Sequence, residues 1–425
     1  MRVRALALGV ALVAVGACAA DDPAATDDAR STTTTSGSTT STTTTPATTT
    51  TATTTTTSVP STTTTTTEPP IAATRFDQPG PHPVGVTTLQ LSGGIDVEVW
   101  YPAVEGTTGT VSYDVRDFTP ELVRALLEGD EGTEGDVDAS YSFEGERDAE
   151  AADAEFPVVL FSHGASGMRL QSSFLTSHLA THGMVVAAPD HPSRDLMNAL
   201  GGRDESDPTA SSDSVDDLLG TLELIVSAAA DPDGPLGGRV DATRVAALGH
   251  SAGGGTVLRA AHDERIGSYV SMAAGGPDDP ADYPEVPSLF MAGTVDEIVP
   301  PDDRTRPAFE TAPPPAWYLE IAGTGHNGFD DFCTFGGGTG IIGVAEQAGL
   351  GPVLDAQPEL RRLGEDGCIP PAEPVDRAFP IIQHATIAFL RWTFGLDDEV
   401  VGLDGDTLGE FELTTVADHT TVEQR

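Results

Sequence analysis

Lysine is missing from the sequence: all 21 basic residues among 425 are arginines. That excludes Schiff-base catalysis, a Ser-Lys dyad and the lysine of a phosphate-binding P-loop. Positive charge is scarce altogether, since 66 acidic side chains leave a formal net charge of -45. Phosphate backbones and anionic membrane surfaces would repel such a chain, so no nucleic acid is expected as a partner. The acids are scattered rather than gathered in blocks, as on a solvated surface. Cysteine occurs only three times, and nothing has the ligand spacing of a zinc site. Two acidic groups, Asp330 with Asp331 and Asp404, Asp406 with Glu410, could hold calcium, but neither has EF-hand spacing. No metal and no cofactor is expected.

The first residues read as an address. Arg2 and Arg4 precede an apolar run from Ala5 to Val15, shorter than the roughly 17–25 residues a spanning helix needs. Val15-Gly-Ala-Cys18 follows, and small residues before a cysteine at this point resemble a bacterial lipobox. The implication is cleavage before Cys18, lipidation of its thiol, and anchoring at the outer face of the cell membrane or in the cell wall. The alternative is an ordinary secretory signal cleaved near Ala20. With Cys18 lipidated, Cys333 and Cys368 remain as a pair, and in an exported protein an even remainder suggests a disulfide.

From Ser31 to Thr67 the chain is almost entirely threonine and serine, without apolar periodicity. It cannot build a core and reads as an extracellular stalk. The expected organisation is a signal over 1–18, a stalk over 19–78, one catalytic domain over 79–396 and an acidic tail over 397–425. A monomer is expected.

Within the domain, Val84 to Leu91 and Ile95 to Tyr101 alternate and are joined by Ser92-Gly93-Gly94, as in an antiparallel hairpin. Residues 128–155 look like a surface insertion. Short apolar runs then alternate with helical segments: Phe156–Phe161, Gly183–Ala188, Val245–Leu248, Ile266–Ala273, Ser288–Ala292 and Ala316–Ile321. That alternation predicts an α/β fold, a mostly parallel sheet with helices on both faces. Sites in such sheets lie at the carboxyl ends of the strands.

Gly249-His-Ser-Ala-Gly253 sits between a strand and a helix and has the form of a nucleophile elbow. Gly249 and Gly253 are needed because a Cβ there would strike the neighbouring backbone. Ser251 is the expected nucleophile. A serine needs a base, and the base an orienting acid. Asp296, after the Ser288 strand, is the expected acid, with Glu297 as rival and Asp302 and Asp303 less well placed. His326, in a glycine-flanked loop after the last strand, is the expected base. For the oxyanion, the amide of Ala252 and that of Ala165, with Gly164 as rival, are the expected donors. His163 reads as a structural ring and His250 as packed beside the turn.

The segments VEVWYPA, FPVVLFSHGASGMR, GMVVAAPDHP, GHSAGGGT, AGTVDEIVPP and GTGHNGFDDFC resemble the bacterial branch of the α/β-hydrolase superfamily. That branch includes platelet-activating-factor acetylhydrolase-like, dienelactone-hydrolase-like and cutinase-like polyester hydrolases. The resemblance runs from Val84 to Phe394 and implies a serine esterase acting through Ser251, Asp296 and His326. The chain departs from its relatives in places. Cutinase-like polyester hydrolases usually carry an aromatic residue at the position of Ala165 and methionine at that of Ala252. Dienelactone hydrolases use a cysteine nucleophile.

The reading is an exported ester hydrolase acting on a small-molecule or lipid-like ester through an acyl-enzyme. Alternatives are a lipid or polyester hydrolase, an acyltransferase with the same triad, or a non-catalytic surface binding lipoprotein. The long segment from Asp330 to Phe379 reads as a lid, an acyl-pocket wall or a surface excursion.

Overall fold

The computed structural model describes residues 75–128, 137–204, 206–403 and 421–425. The expected signal, Cys18, the stalk and the Asp404, Asp406, Glu410 group lie outside the described residues. Twelve strands occur among those described: β1 (Val84–Gln90), β2 (Asp96–Pro102), β3 (Thr110–Asp114), β4 (Ser140–Glu144), β5 (Glu146–Arg147), β6 (Phe156–Ser162), β7 (Val185–Pro189), β8 (Val240–His250), β9 (Ser268–Met272), β10 (Ser288–Gly293), β11 (Ala316–Ile321) and β12 (Thr421–Gln424). Ten form one sheet in the order β12-β11-β10-β9-β8-β6-β7-β2-β1-β5, and β3 pairs with β4 apart from it.

The six strands from β11 to β7 run parallel. The β1–β2 hairpin joins β7 antiparallel, as expected of the alternating Val84–Tyr101 stretch. Every residue of β6 is buried, and the reason is two-sided cover. Val159 and Phe161 enter one core, while Val158 and Leu160 enter the other. In β8, Ala246 and Leu248 face the first core and Val245 and Ala247 the second. Helices Ser173–Thr181 and Phe379–Thr393 supply apolar residues to the first face, and helices Ser214–Ala230 and Ala252–Ala260 to the second. Ser214–Ala230 starts where Asp213 accepts the Val215 amide at 2.7 Å, a side-chain cap, and buries Leu218, Leu222 and Ile225 at helical spacing.

After β6 the chain forms β7 on one side, then returns to form β8 on the other. The reversal between β6 and β8 is a switch point, and the carboxyl ends of the strands there are the usual site position in such sheets. Gly164 and Ser251 both lie at this reversal.

Three segments differ from the sequence-based expectation. Residues 128–155 are not a loose insertion throughout: β4 pairs with β3 and β5 with β1, and Val137 and Ala139 are buried. The inward residues of β3, Val111 and Tyr113, provide the apolar face that holds them. The ordered fold also begins before Pro79. Phe76 is buried, its amide donates to His384 Nδ1 at 3.1 Å, and its carbonyl accepts from His178 Nε2 at 2.7 Å. Finally, the stretch read as an acidic tail returns at its end, where β12 pairs antiparallel with β11. An open sheet edge accepts a strand through backbone bonds whatever its side-chain pattern, so polarity does not reveal it. No helix among the described residues is long and apolar enough to cross a membrane.

Candidate active site

Ser251 occupies the turn between β8 and helix Ala252–Ala260, with φ 55° and ψ -121°. A residue with a Cβ is strained there. Its amide donates to the Met272 carbonyl at 2.8 Å, which fixes the turn against β9. A Cβ at Gly249 would overlap the Gly253 carbonyl, and one at Gly253 would overlap the Ser162 carbonyl. The two glycines thus let helix and strand approach closely enough to expose the hydroxyl, and Ser251 is only partly buried.

Asp296 follows β10 and His326 follows β11. His326 Nδ1 lies 2.9 Å from Asp296 Oδ2, and both side chains are buried. The other aspartate oxygen accepts the amides of Ile298 and Val299 at 2.9 and 2.7 Å. The carboxylate is therefore locked, and His326 carries its proton on Nδ1. His326 Nε2 is buried without a hydrogen-bond partner among the described residues, so no bond to Ser251 Oγ is present. The rivals for the acid lie at the surface: Glu297, Asp302 and Asp303 are all exposed.

Of the expected oxyanion donors, Gly164 is removed. Its amide is taken by Gln171 Oε1 at 3.0 Å. No hydrogen bond among the described residues occupies the amides of Ala165 and Ala252. Gly164 instead lies against Ser251: a Cβ on it would be 3.2 Å from Ser251 Cβ.

Gln171 is a residue that sequence reasoning missed. While Oε1 holds Gly164, Nε2 donates to His250 Nδ1 at 2.6 Å, and His250 Nε2 donates to the His326 carbonyl at 3.1 Å. The His250 and His326 ring centroids are 4.7 Å apart. Burial holds His250 far below the usual imidazole range, and the neighbouring His326 adds to that. A neutral ring with one defined tautomer results. The expected packing role of His250 is joined by a bridging one.

His163 is also buried and neutral, pushed down first by desolvation. Its Nδ1 donates to the Gly164 carbonyl at 2.8 Å and its Nε2 accepts the His191 amide at 2.9 Å, the bracing expected of it. Beneath it lies a second Ser-His-Asp array. Ser162 Oγ is 2.8 Å from His191 Nε2, and His191 Nδ1 is 3.1 Å from Asp217 Oδ2. Ser162 and His191 have no exposed surface, so this array braces the loop and cannot meet a substrate.

Cys333 and Cys368 form the expected disulfide, 35 residues apart. The segment they close carries the helices Gly340–Gln347, Gly351–Ala356 and Pro358–Glu365, and it returns onto the His326 loop. Asn327 Nδ2 donates to the Leu363 carbonyl at 2.7 Å, and just beyond Cys368 the Glu373 amide donates to the Gly323 carbonyl at 2.8 Å. Asp366 accepts the His326 amide on Oδ1 at 2.7 Å and the Glu297 amide on Oδ2 at 3.0 Å. The segment is thus a buttress of the site, which the sequence left undecided. Asp330 and Asp331 face protein donors: Phe332 at 2.9 Å for the first, Phe174 at 3.2 Å for the second. Burial pushes both carboxyls well up, and no group of three or more potential metal ligands occurs among the described residues.

The sheet and its flanking helices give the chain an α/β-hydrolase fold. Within that class it is similar to two families. The PET hydrolase-like family model matches residues 149–341, a span that holds Ser251, Asp296 and His326. The model of platelet-activating factor acetylhydrolase, isoform II, matches residues 81–214, including the loop after β6. Cutinase 2 of Thermobifida cellulosilytica is 26% identical over 174 residues, 40% of this chain and 60% of that protein. A Thermobifida fusca cutinase is 26% identical over 174 residues, 40% of this chain and 50% of that protein. A third, from Thermobifida alba, is 26% identical over 186 residues and 53% of its length. The chain thus spans 50–60% of the length of these curated relatives.

Proposed function

We propose that this chain is a serine hydrolase of carboxylic esters. One observation carries the reading: a locked Asp296–His326 pair whose free imidazole nitrogen lies on the same rim as a serine in a strained elbow. In the proposed reaction Ser251 Oγ attacks the acyl carbonyl as His326 Nε2 takes its proton. Asp296 stabilises the imidazolium. The amides of Ala252 and Ala165 receive the developing oxyanion. The imidazolium then protonates the leaving alcohol, and water, deprotonated by the same histidine, releases the acid and restores Ser251.

The similarity to cutinases and to a platelet-activating factor acetylhydrolase supports an ester substrate. Ala165 and Ala252 put only methyl groups beside the nucleophile. That favours a small-molecule or lipid-like ester over an aromatic polymer, which a groove walled by larger side chains would grip better.

The test is labelling of the full chain with a fluorophosphonate probe, together with hydrolysis of p-nitrophenyl esters from acetate to palmitate. Labelling and turnover should both vanish in Ser251→Ala, with turnover falling by roughly 10⁴-fold or more. Undiminished turnover in that variant would sink the assignment. A fall-off beyond butyrate means a closed acyl pocket; sustained activity on long chains means an open groove.

The proposed setting is extracellular, with the chain anchored through a lipid on Cys18. The Cys333–Cys368 bond supports an oxidising compartment. Mass analysis of the mature N-terminus tests the anchor: a diacylglyceryl-modified Cys18 is expected, and a free terminus near Ala20 would replace it with simple secretion.

A further inference from the structure

We propose that Asp366 is a positioning residue for ester hydrolysis: its carboxylate, delivered by the disulfide-closed segment, holds the acid loop and the base loop in one register. The inference rests on the hydrolase reading above. Asp296 and His326 stand on separate loops, after β10 and after β11. Their side chains meet at 2.9 Å only if the two loops keep a fixed offset. Asp366 is the crosslink between them. One oxygen takes the amide of His326 itself at 2.7 Å; the other takes the amide of Glu297, the neighbour of Asp296, at 3.0 Å. Its own carbonyl accepts the Asn327 amide at 2.9 Å.

The surroundings hold this bridge in place. Gly367 has φ +93°, and its Cα would be only 2.6 Å from a Cβ on Gly325. Two bare backbones therefore meet beside the base. Cys368, the next residue, is bonded to Cys333, seven positions after His326. The crosslink is thus tied on both sides: by glycine contact before the base and by a covalent bond after it.

A carboxylate suits the task better than a carboxamide. Both oxygens accept from N–H donors, so an amide nitrogen in either position would face a donor. The charge also matters. Asp366 interacts electrostatically with both Asp296 and His326; His250 faces His326 from the end of β8, with Asp330 behind at 3.7 Å from the His250 ring. Burial raises the Asp366 carboxyl, and the two amides oppose that. Removing its charge removes support for the imidazolium, which a purely structural role would not predict.

The experiment is the pH profile of kcat and KM for p-nitrophenyl butyrate, on the full chain, for the parent, Asp366→Asn and a Cys333→Ala/Cys368→Ala double variant. Asp366→Asn should lower kcat about 10-fold, with KM changed less than about 2-fold, since misplacing a reacting group acts on the chemical step. Its acid limb should move to lower pH, because the variant removes a carboxylate that attracts the His326 ring. The double variant should lower kcat with the limb unmoved, because it loosens the tether and keeps the charge. Asp366→Asn with parental kcat and an unmoved limb, while Ser251 still labels with the fluorophosphonate, would overturn the proposal. Hydrogen exchange on the parent chain gives a readout independent of folding of the variants. The amides of Glu297 and His326 should be protected at neutral pH and lose protection together on acidification; fast exchange of either at neutral pH would overturn the proposal. Failure of the hydrolase reading looks different, because Ser251→Ala would then match the parent.

Discussion

The Gln171 carboxamide lies 2.6 Å from His250 Nδ1 and, through its other atom, 3.0 Å from the Gly164 amide. One side chain therefore joins the loop after β6 to the residue before Ser251, and His250 passes the connection on to the His326 carbonyl. Gln171→Leu leaves a buried N–H and a buried ring nitrogen unpaired. Each such loss costs about 1–3 kcal/mol, so unfolding in urea should show a loss of about 2–4 kcal/mol. Turnover should fall as well, because the neighbouring Ala165 amide is carried on the loosened loop. Stability within 0.5 kcal/mol or so of the parent would refute the role.

The elbow stores strain at Ser251, whose φ is 55°. Glycine accepts that conformation and alanine does not. Strain of this kind costs about 1–3 kcal/mol, and glycine's extra freedom in the unfolded chain returns part of it. Ser251→Gly should therefore be more stable than Ser251→Ala by about 1 kcal/mol, although both should lack turnover. Thermal unfolding of the two variants side by side decides it.

Asp217 bears on stability against pH. Burial raises its carboxyl to about 6, with Ser212 and Arg194 opposing. The unfolded value is about 3.9, so between these pH values the folded chain holds a proton that the unfolded chain has lost. The stabilisation is complete below about pH 3.9 and is lost as pH rises through about 6. Asp217→Asn, which cannot ionise, should match the parent near pH 4 and gain on it up to pH 6, by about 1–2 kcal/mol after allowance for solvent screening. A difference that stays constant from pH 4 to 7 would count against this account.

Removing the Cys333–Cys368 bond reopens a long loop in the unfolded chain. The expected loss is about 2–4 kcal/mol by the chain-entropy model. Denaturant titration of the double alanine variant measures it directly, and a gain in stability would contradict the expectation.

Much of this architecture is legible in local pattern. The buried strands announce themselves as short apolar runs, and Gly249-His-Ser-Ala-Gly253 encodes its turn in five adjacent residues. Asp296 and His326 could be picked out because each follows a strand at the same rim. What could not be read depends on distance along the chain. Asp366 is one of 66 acids, and only folding brings it to an amide 40 residues away. Gln171 carried a faint signal as a polar residue at the entry to an apolar helix, which its spacing does not connect to His250. The second array of Ser162, His191 and Asp217 is equally scattered, and β12 is held by backbone bonds that leave no mark on composition.

The grip on Phe76 carries a mechanical consequence. His178 and His384 hold the two polar groups of its backbone, and His182 holds the carbonyl of Gln78 at 2.9 Å. A pull applied at Arg75 would be taken first by these imidazole bonds, from helix Ser173–Thr181, its cap His182 and helix Phe379–Thr393. The strands and loops that carry Ser251, Asp296 and His326 make none of these three bonds, so such a pull and the proposed chemistry would fall on different elements.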